Sequence, residues 1–239
     1  MKETTASRLT LRRSEDRGHV NHGWLEARHS FSFGSYHDPA HMGFRSLRVI
    51  NQDRIAGGGG FPPHPHRDME IFSYVLEGGL RHEDSMGNQG VIRPGQIQVM
   101  SAGRGVYHSE ANASASEDCR LLQIWLLPER GGLDPSYAEW TPSPERRDNS
   151  KVLLISPDGR DDSATIHQDA LVYRLKLKAG EEIPHSVGEG RAFWLQVIAG
   201  DISVDNETLH PGDAASSEEA GDYHFTAQNE VEALLFDLA

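Results

Sequence analysis

Gly60-Phe61-Pro62-Pro63-His64-Pro65-His66-Arg67-Asp68-Met69-Glu70-Ile71 runs on as an apolar stretch to Gly78 and is answered further along by His108-Ser109-Glu110. Side chains two apart on a β-strand share a face. Each triplet, His64/His66 and His108/Glu110, therefore offers two ligands from one strand. Two such strands facing each other would bring three imidazoles and a carboxylate to one ion and leave positions for a substrate. Imidazole suits zinc, copper, iron and nickel, and carboxylate tolerates harder ions, so the pattern points to a divalent transition metal. Glu70 has the parity of His64 and His66, and Glu110 that of His108. Spacing alone leaves both open as the carboxylate ligand.

Outward from these triplets the chain reads as strands. Gly (24) and Pro (12) recur at short intervals and no long amphipathic helical pattern interrupts them. Short apolar or alternating runs bounded by turn residues predict an all-β sandwich or barrel. The candidate strands are Ser46–Asn51, Ile71–Leu76, Ile97–Ser101, Leu121–Leu127, Leu171–Leu177, Phe193–Ile198 and Glu232–Leu238. In Leu171-Val-Tyr173-Arg-Leu175-Lys-Leu177 the alternation assigns Arg174 and Lys176 to the wet face. Asp84-Ser-Met-Gly-Asn88 predicts a hairpin turn with Gly87 at positive φ. The polar, Pro-containing stretch Glu139–Ser150 marks the expected boundary between residues 1–138 and 139–239.

The two halves echo each other. Tyr74-Val-Leu-Glu-Gly78 with the later Pro94-Gly95 parallels Gln196-Val-Ile-Ala-Gly200 with Pro211-Gly212. On that echo His64 falls near His185 and His108 near His224 and Phe225. Val187 and Thr226 then stand where further ligands are needed, so the second half is expected to have lost its site.

Composition limits the function classes. With 23 Lys+Arg against 36 Asp+Glu, a net charge of −13 is ill suited to phosphate neutralisation, so no direct nucleic-acid partner is expected. A single cysteine, Cys119, forms no internal disulfide and fits a reducing compartment. The polar start MKETTASRLTLRRSEDRG has no apolar leader core, and no run is long enough for a membrane span, so a cytoplasmic chain is expected. A monomer is expected.

Gly58-x5-His64-x-His66-x3-Glu70 and Gly105-x2-His108-x3-Asn112 match the two-part signature of the cupin superfamily, small jelly-roll β-barrels. Phe31-Ser-Phe33, Leu47-Arg-Val-Ile-Asn51, Gly60-Phe61, His64 to Ile71, Asp84 to Asn88 and Met100-Ser-Ala-Gly103 through Glu110 extend the likeness. On these motifs the chain resembles the pirin family of bicupins over essentially its whole length. It looks closest to the bacterial pirin-like quercetin dioxygenases. The resemblance implies two jelly-roll barrel domains face to face, residues 1–138 holding the metal and 139–239 without ligands. It also implies that the acid two residues after the last histidine is the ligand, which carries over onto Glu110 and leaves Glu70 to orient a ligand histidine.

The activity implied is oxygenative opening of the central ring of flavonols such as quercetin, with release of carbon monoxide. The partners would be a small planar phenolic substrate and dioxygen, and Glu110 would double as general base. Iron is the favoured ion, although the same donors accept zinc, copper, nickel, cobalt or manganese. The rival reading, a metal-dependent redox sensor that binds a protein partner, rests on the same resemblance. Phe33, Met42, Phe44 and Phe61 are candidates to line an apolar cavity beside the ion. His19, His22, His29, His37, His41 and His82 read as surface or loop residues, and Trp125 and Trp194 as core.

Overall fold

A computed structural model describes residues 8–239; the first residues of the polar start lie outside the described part. Among the described residues twenty-two strands carry the fold, and helix is confined to two 3-10 turns, Ser14–Asp16 and Arg160–Asp162. The first twelve are β1 (Thr10–Arg12), β2 (Gly18–Asn21), β3 (Leu25–His29), β4 (Leu47–Ile55), β5 (Gly60–His66), β6 (Glu70–Glu77), β7 (Leu80–Asp84), β8 (Gln89–Ile92), β9 (Ile97–Ser101), β10 (Val106–Asn112), β11 (Cys119–Leu126) and β12 (Ser136–Trp140). The rest are β13 (Lys151–Ser156), β14 (Ala164–Thr165), β15 (Ala170–Leu177), β16 (Glu182–Val187), β17 (Ala192–Ala199), β18 (Ile202–Val204), β19 (Glu207–Leu209), β20 (Ala214–Ser217), β21 (Gly221–Ala227) and β22 (Val231–Leu238). Among the described residues no helix is long and apolar enough to cross a membrane.

The chain divides into two compact units. One comprises Arg17–Ser143 with Ile155–Asp169; the other comprises Pro144–Leu154, Ala170–Ala239 and the described residues before Arg17. The division differs from a single cut after residue 138 because two segments change sides. β1 pairs with β20, Leu11 opposite Ala215, which ties the start of the chain to the second unit. In the first unit, His167 O accepts from Glu129 N at 2.7 Å and Leu127 O accepts from Gln168 Nε2 at 2.8 Å. Both exchanges depend on pairings far apart in sequence, which local pattern does not carry.

The small sheets, and the central strands of the large sheets, have the same order in both units. The small sheets run β5-β10-β7-β8 and β16-β21-β18-β19, and the seven-stranded sheets run β12-β9-β6-β11-β4-β3-β2 and β1-β20-β17-β22-β15-β13-β14. Each unit is thus an all-β jelly roll of the cupin kind, and the duplication read from Tyr74–Gly78 and Gln196–Gly200 extends to the small sheets and to the central strands β9-β6-β11-β4 and β20-β17-β22-β15, whereas β2 pairs antiparallel with β3 but β14 parallel with β13. Gly78 (φ 74°) and Gly200 (φ 75°) adopt the same left-handed turn. A Cβ on Gly78 would meet the Asp118 carbonyl oxygen at 2.7 Å, so both turn conformation and close approach require glycine there.

β5 carries Pro62, Pro63 and Pro65, which donate no ladder hydrogen bond. It accordingly lies at a sheet edge with β10 as its neighbour, where missing donors cost little. Asp84–Asn88 forms the β7–β8 turn with Gly87 at φ 92°, as its sequence predicts. Arg174 departs from expectation. It is buried, not wet, because its guanidinium donates to the carbonyls of Arg147 (2.6 Å) and Asn149 (3.3 Å) in the segment covering that face.

The cores differ. In the second unit one continuous apolar cluster includes Leu175, Val187, Phe193, Leu195, Ala215, Tyr223, Phe225 and Leu235. In the first unit the apolar residues form separate clusters, one around Leu25, Ile55, Val75 and Leu121 and one around Ile71, Met100 and Val106. β6 contributes Val75 to one and Ile71 to the other, and between them on the same face stands Ser73. β11 repeats the pattern with Leu121, Gln123 and Trp125. A polar layer separates the two apolar ends.

Candidate metal centre

β10 pairs with β5 so that His108 stands opposite His64, and Val106 opposite His66. The register then shifts, and Glu110 stands opposite Phe61, because β5 spends an additional residue in its Pro62-Pro63 run. His64, His66 and His108 form a near-equilateral triangle, with ring centroids 4.8, 4.5 and 4.8 Å apart for the pairs 64–66, 64–108 and 66–108. One ligand nitrogen from each lies within 4.8 Å of the others. The Nε2 atoms of His64 and His108 are 3.0 Å apart.

The donor set fits a metal ion. His64 Nδ1 lies 2.8 Å from the carbonyl of Pro62, an acceptor only, so Nδ1 carries the proton and Nε2 presents its lone pair inward. His108 Nδ1 lies 3.4 Å from His82 Nδ1. With that proton directed to His82, the lone pairs of His64 and His108 face each other, an arrangement a cation between them relieves. Burial foremost, then repulsion from neighbouring histidines, pushes His66 down to about 4 and His108 to about 2. Both stay neutral, the form in which imidazole ligates.

Behind His108 lies a support that sequence reading missed. His82 is fully buried on β7, its ring stacked on Tyr137 at 4.5 Å, and its Nε2 lies 3.2 Å from Asp84 Oδ2. Asp84 also accepts from the amides of Met86 and Asn88 and from Asn88 Nδ2, so the turn that ends β7 fixes the carboxylate. Burial raises the Asp84 pKa, but these hydrogen bonds outweigh it and hold the group below its ordinary value. The Asp84–His82–His108 chain orients an imidazole from its far side. Its signal was parity: Arg81 and Glu83 point out, which leaves His82 inward with Leu80.

Glu110 is buried, and ligand atoms of Glu110, His108 and His82 lie within 4.8 Å of one another. Its Oε1 accepts from Gln98 Nε2 at 2.6 Å and Ser73 Oγ at 3.3 Å, and its Oε2 from Gln123 Nε2 at 2.8 Å. Burial raises its pKa to about 7 against the pull of these donors. Glu70 has other neighbours. Its carboxylate accepts from Ser101 Oγ at 2.5 Å and sits 3.3 Å from His167 Nδ1.

A cavity of about 280 Å³ adjoins the histidines. Phe33, Phe61, Trp125, Leu25 and Pro62 give it apolar walls, and His29, Asn51, Asp53 and Gln123 add polar groups. Phe33 and Phe61 line this cavity. Met42 lines a separate hollow with Phe33, Tyr36 and Trp125, and Phe44 lines neither of these, being bridged to Leu47. Trp125 is more than core, for its ring meets that of His66 edge-on at 4.7 Å.

In the second unit the same strand positions carry other chemistry. β16 and β21 pair with His185 opposite Tyr223, so His185, Val187, Tyr223 and Phe225 occupy the places of His64, His66, His108 and Glu110. Tyr223, not His224, is the inward residue. His224 points outward to Glu182 at 2.8 Å. His185 is retained but packed among Phe193 and Phe225.

Two jelly rolls, one with a polar interior and convergent imidazoles and one with a largely apolar core, define a bicupin whose candidate metal centre, among the described residues, lies in the first unit. Comparison with known proteins agrees. Residues 10–126 match the Pirin family and residues 153–238 the quercetinase C-terminal cupin domain. Quercetin 2,3-dioxygenase of Escherichia coli (strain K12) is 45% identical over 234 residues, covering 96% of this chain and 98% of the relative. A pirin-like protein of Caulobacter vibrioides is 40% identical over 224 residues, covering 93% and 96%. The crystal structure of the bacterial pirin YhhW from Escherichia coli in complex with nickel(II) superposes with a TM-score of 0.92 at 43% identity, covering 96% and 98%. The chain belongs to the pirin family.

Proposed function

We propose that this protein is a metal-dependent dioxygenase that opens the central ring of flavonols such as quercetin, consuming dioxygen and releasing carbon monoxide. The observation that carries the reading is the triangle of imidazoles beside a buried carboxylate, opening on an aromatic-walled cavity. His64, His66, His108 and Glu110 are assigned as the residues that hold one divalent transition metal ion. When bound, the ion supplies Lewis acidity toward a substrate hydroxyl and its neighbouring carbonyl. Iron is the ion assigned for turnover, and the nickel(II) complex of YhhW supports a site open to other divalent ions.

The chain's own residues do the rest. Glu110 is placed to take the proton of the flavonol 3-hydroxyl onto a carboxylate oxygen. Gln98, Gln123 and Ser73 hold that carboxylate in one orientation. Phe33, Phe61 and Trp125 accept a flat ring system and keep water from it. The name of one relative, a quercetin 2,3-dioxygenase at 45% identity, supports this substrate class.

The test is loss of quercetin absorbance under air. Metal-loaded wild type should consume the flavonol, and Glu110→Gln with metal retained should lose nearly all turnover. Unchanged turnover in Glu110→Gln removes the base role. Absence of metal-dependent consumption by wild type overturns the enzyme reading in favour of a binding module.

A further inference from the structure

Asp53 lies on β4 with Asn51 and Ile55 on its inward face, opposite Ala27 on β3 and Leu121 on β11. It lines the cavity with Leu25, Ala27, Phe61 and His64, yet is only 4% exposed. Among the described residues its Oδ1 has no hydrogen-bond partner. It belongs to neither group of side chains whose ligand atoms converge as a metal site would require. A carboxyl group buried against hydrocarbon with an unsatisfied oxygen is costly, and one that persists in a native fold calls for a partner or a role.

The sister unit shows that the fold does not require a polar residue here. Leu121 corresponds to Ala233 by its pairing with the common strand that ends at Gly78 or Gly200. The residue opposite Ala233 is Leu175, a member of the apolar core. Leucine fills in one unit the position that aspartate occupies in the other. The difference falls in the unit that has the cavity.

We propose that Asp53 selects the substrate: its carboxyl group hydrogen-bonds a ring hydroxyl of a planar phenol or enol whose chelating oxygens face His64 and His66. This rests on the flavonol reading and adds what discriminates among flavonols. At about 280 Å³ the cavity is at the small end of ligand sites, which run roughly from 300 to 1,000 Å³. Its aromatic and aliphatic walls suit a fused planar ring, and a ring hydroxyl can donate to the open Asp53 Oδ1. A ligand lacking that hydroxyl leaves the carboxyl buried and unpaired, the situation in which polar sites reject analogues most strongly.

The experiment compares quercetin with 3-hydroxyflavone, which keeps the 3-hydroxyl and adjacent carbonyl but lacks the other ring hydroxyls. Dissociation constants are read under nitrogen from quenching of tryptophan emission of the metal-loaded full chain, with metal content measured in every sample. Wild type should prefer quercetin by about tenfold or more. Asp53→Leu should bring the ratio near one by weakening quercetin alone, at unchanged metal content. Asp53→Ala, which demands no extra space, should show the same loss and serves if the leucine variant fails to fold. Equal affinities in wild type, or discrimination retained in the variants, overturns the assignment. Discrimination without quercetin consumption under air overturns the proposed reaction and leaves Asp53 assigned. Failure of wild type to bind either flavonol overturns both.

Discussion

Halfway along its inward faces one unit carries Ser73, Gln98, Gln123 and Glu110; the other, at the same register positions, carries Leu195, Ala215, Leu235 and Phe225. The strands around these positions are ordered identically. The second unit buries its layer in one apolar cluster that stabilises by removing hydrocarbon from water. The first interrupts its core with carboxylates, amides and imidazoles, whose desolvation is offset only partly by hydrogen bonds. The comparison teaches that the jelly roll needs no polar interior. The polar layer is therefore a functional addition, held between two apolar ends that keep the unit folded.

The largest effect separating the units should come from the histidines. His108→Ala is expected to abolish retention of a divalent metal and consumption of quercetin, whereas His185→Ala leaves the metal-to-chain ratio unchanged by elemental analysis. Loss of metal in the second variant would break the comparison. Reciprocal layer substitutions follow. Leu235→Gln should destabilise by about 2–4 kcal/mol in urea unfolding, because it buries an amide among hydrocarbon. Gln123→Leu removes the donor to Glu110 Oε2 and should depress turnover more than stability.

A smaller effect is expected behind the ligand triangle. His82→Ala leaves His64, His66 and His108 in place but removes the partner of His108 Nδ1, and should weaken metal affinity about 10- to 100-fold in a competition titration with a chelator. An unchanged affinity would show that the Asp84–His82 chain orients nothing. The last effect is a pH dependence of the metal-free chain. Burial first, then Glu110, pushes Asp53 up to about 8. The unfolded chain ionises this carboxyl above about 4, whereas the native one stays protonated until about 8. The native state therefore loses stability as pH rises through that window. Asp53→Asn escapes the loss, so its stability relative to wild type should grow from pH 5 to pH 8 by a few kcal/mol at most, of the order set by 1.4 kcal/mol per unit. A difference independent of pH would contradict the burial assigned to Asp53.

Legibility in the sequence followed the length of the apolar signal. β6, β9, β11, β17 and β22 stood out because inner strands of the large sheets are largely apolar on both faces, and β15 by its alternation. The ligand triplets were legible because strand parity is a local property. What escaped was carried by distant pairing or hidden by residue type. Leu11 opposite Ala215 has no local cue. His224 drew the eye as a histidine, although the alternation Tyr223-x-Phe225-x-Ala227 turns it outward. Trp125 and His82 were set aside as core and loop, when their parity with Gln123 and with Asp84 placed them at the site. Arg174 broke the rule that alternating charges are wet, since backbone carbonyls far along the chain take up its guanidinium.

The most direct test of the division between the units is an anomalous-difference map from crystals of the chain loaded with a single divalent transition metal, recorded at that metal's absorption edge. One peak is expected, within bonding distance (about 2.0–2.2 Å) of His64, His66 and His108 nitrogens and a Glu110 oxygen, with none beside His185, Val187, Tyr223 and Phe225. A peak away from the histidine triangle, or a second one within the apolar unit, would contradict it.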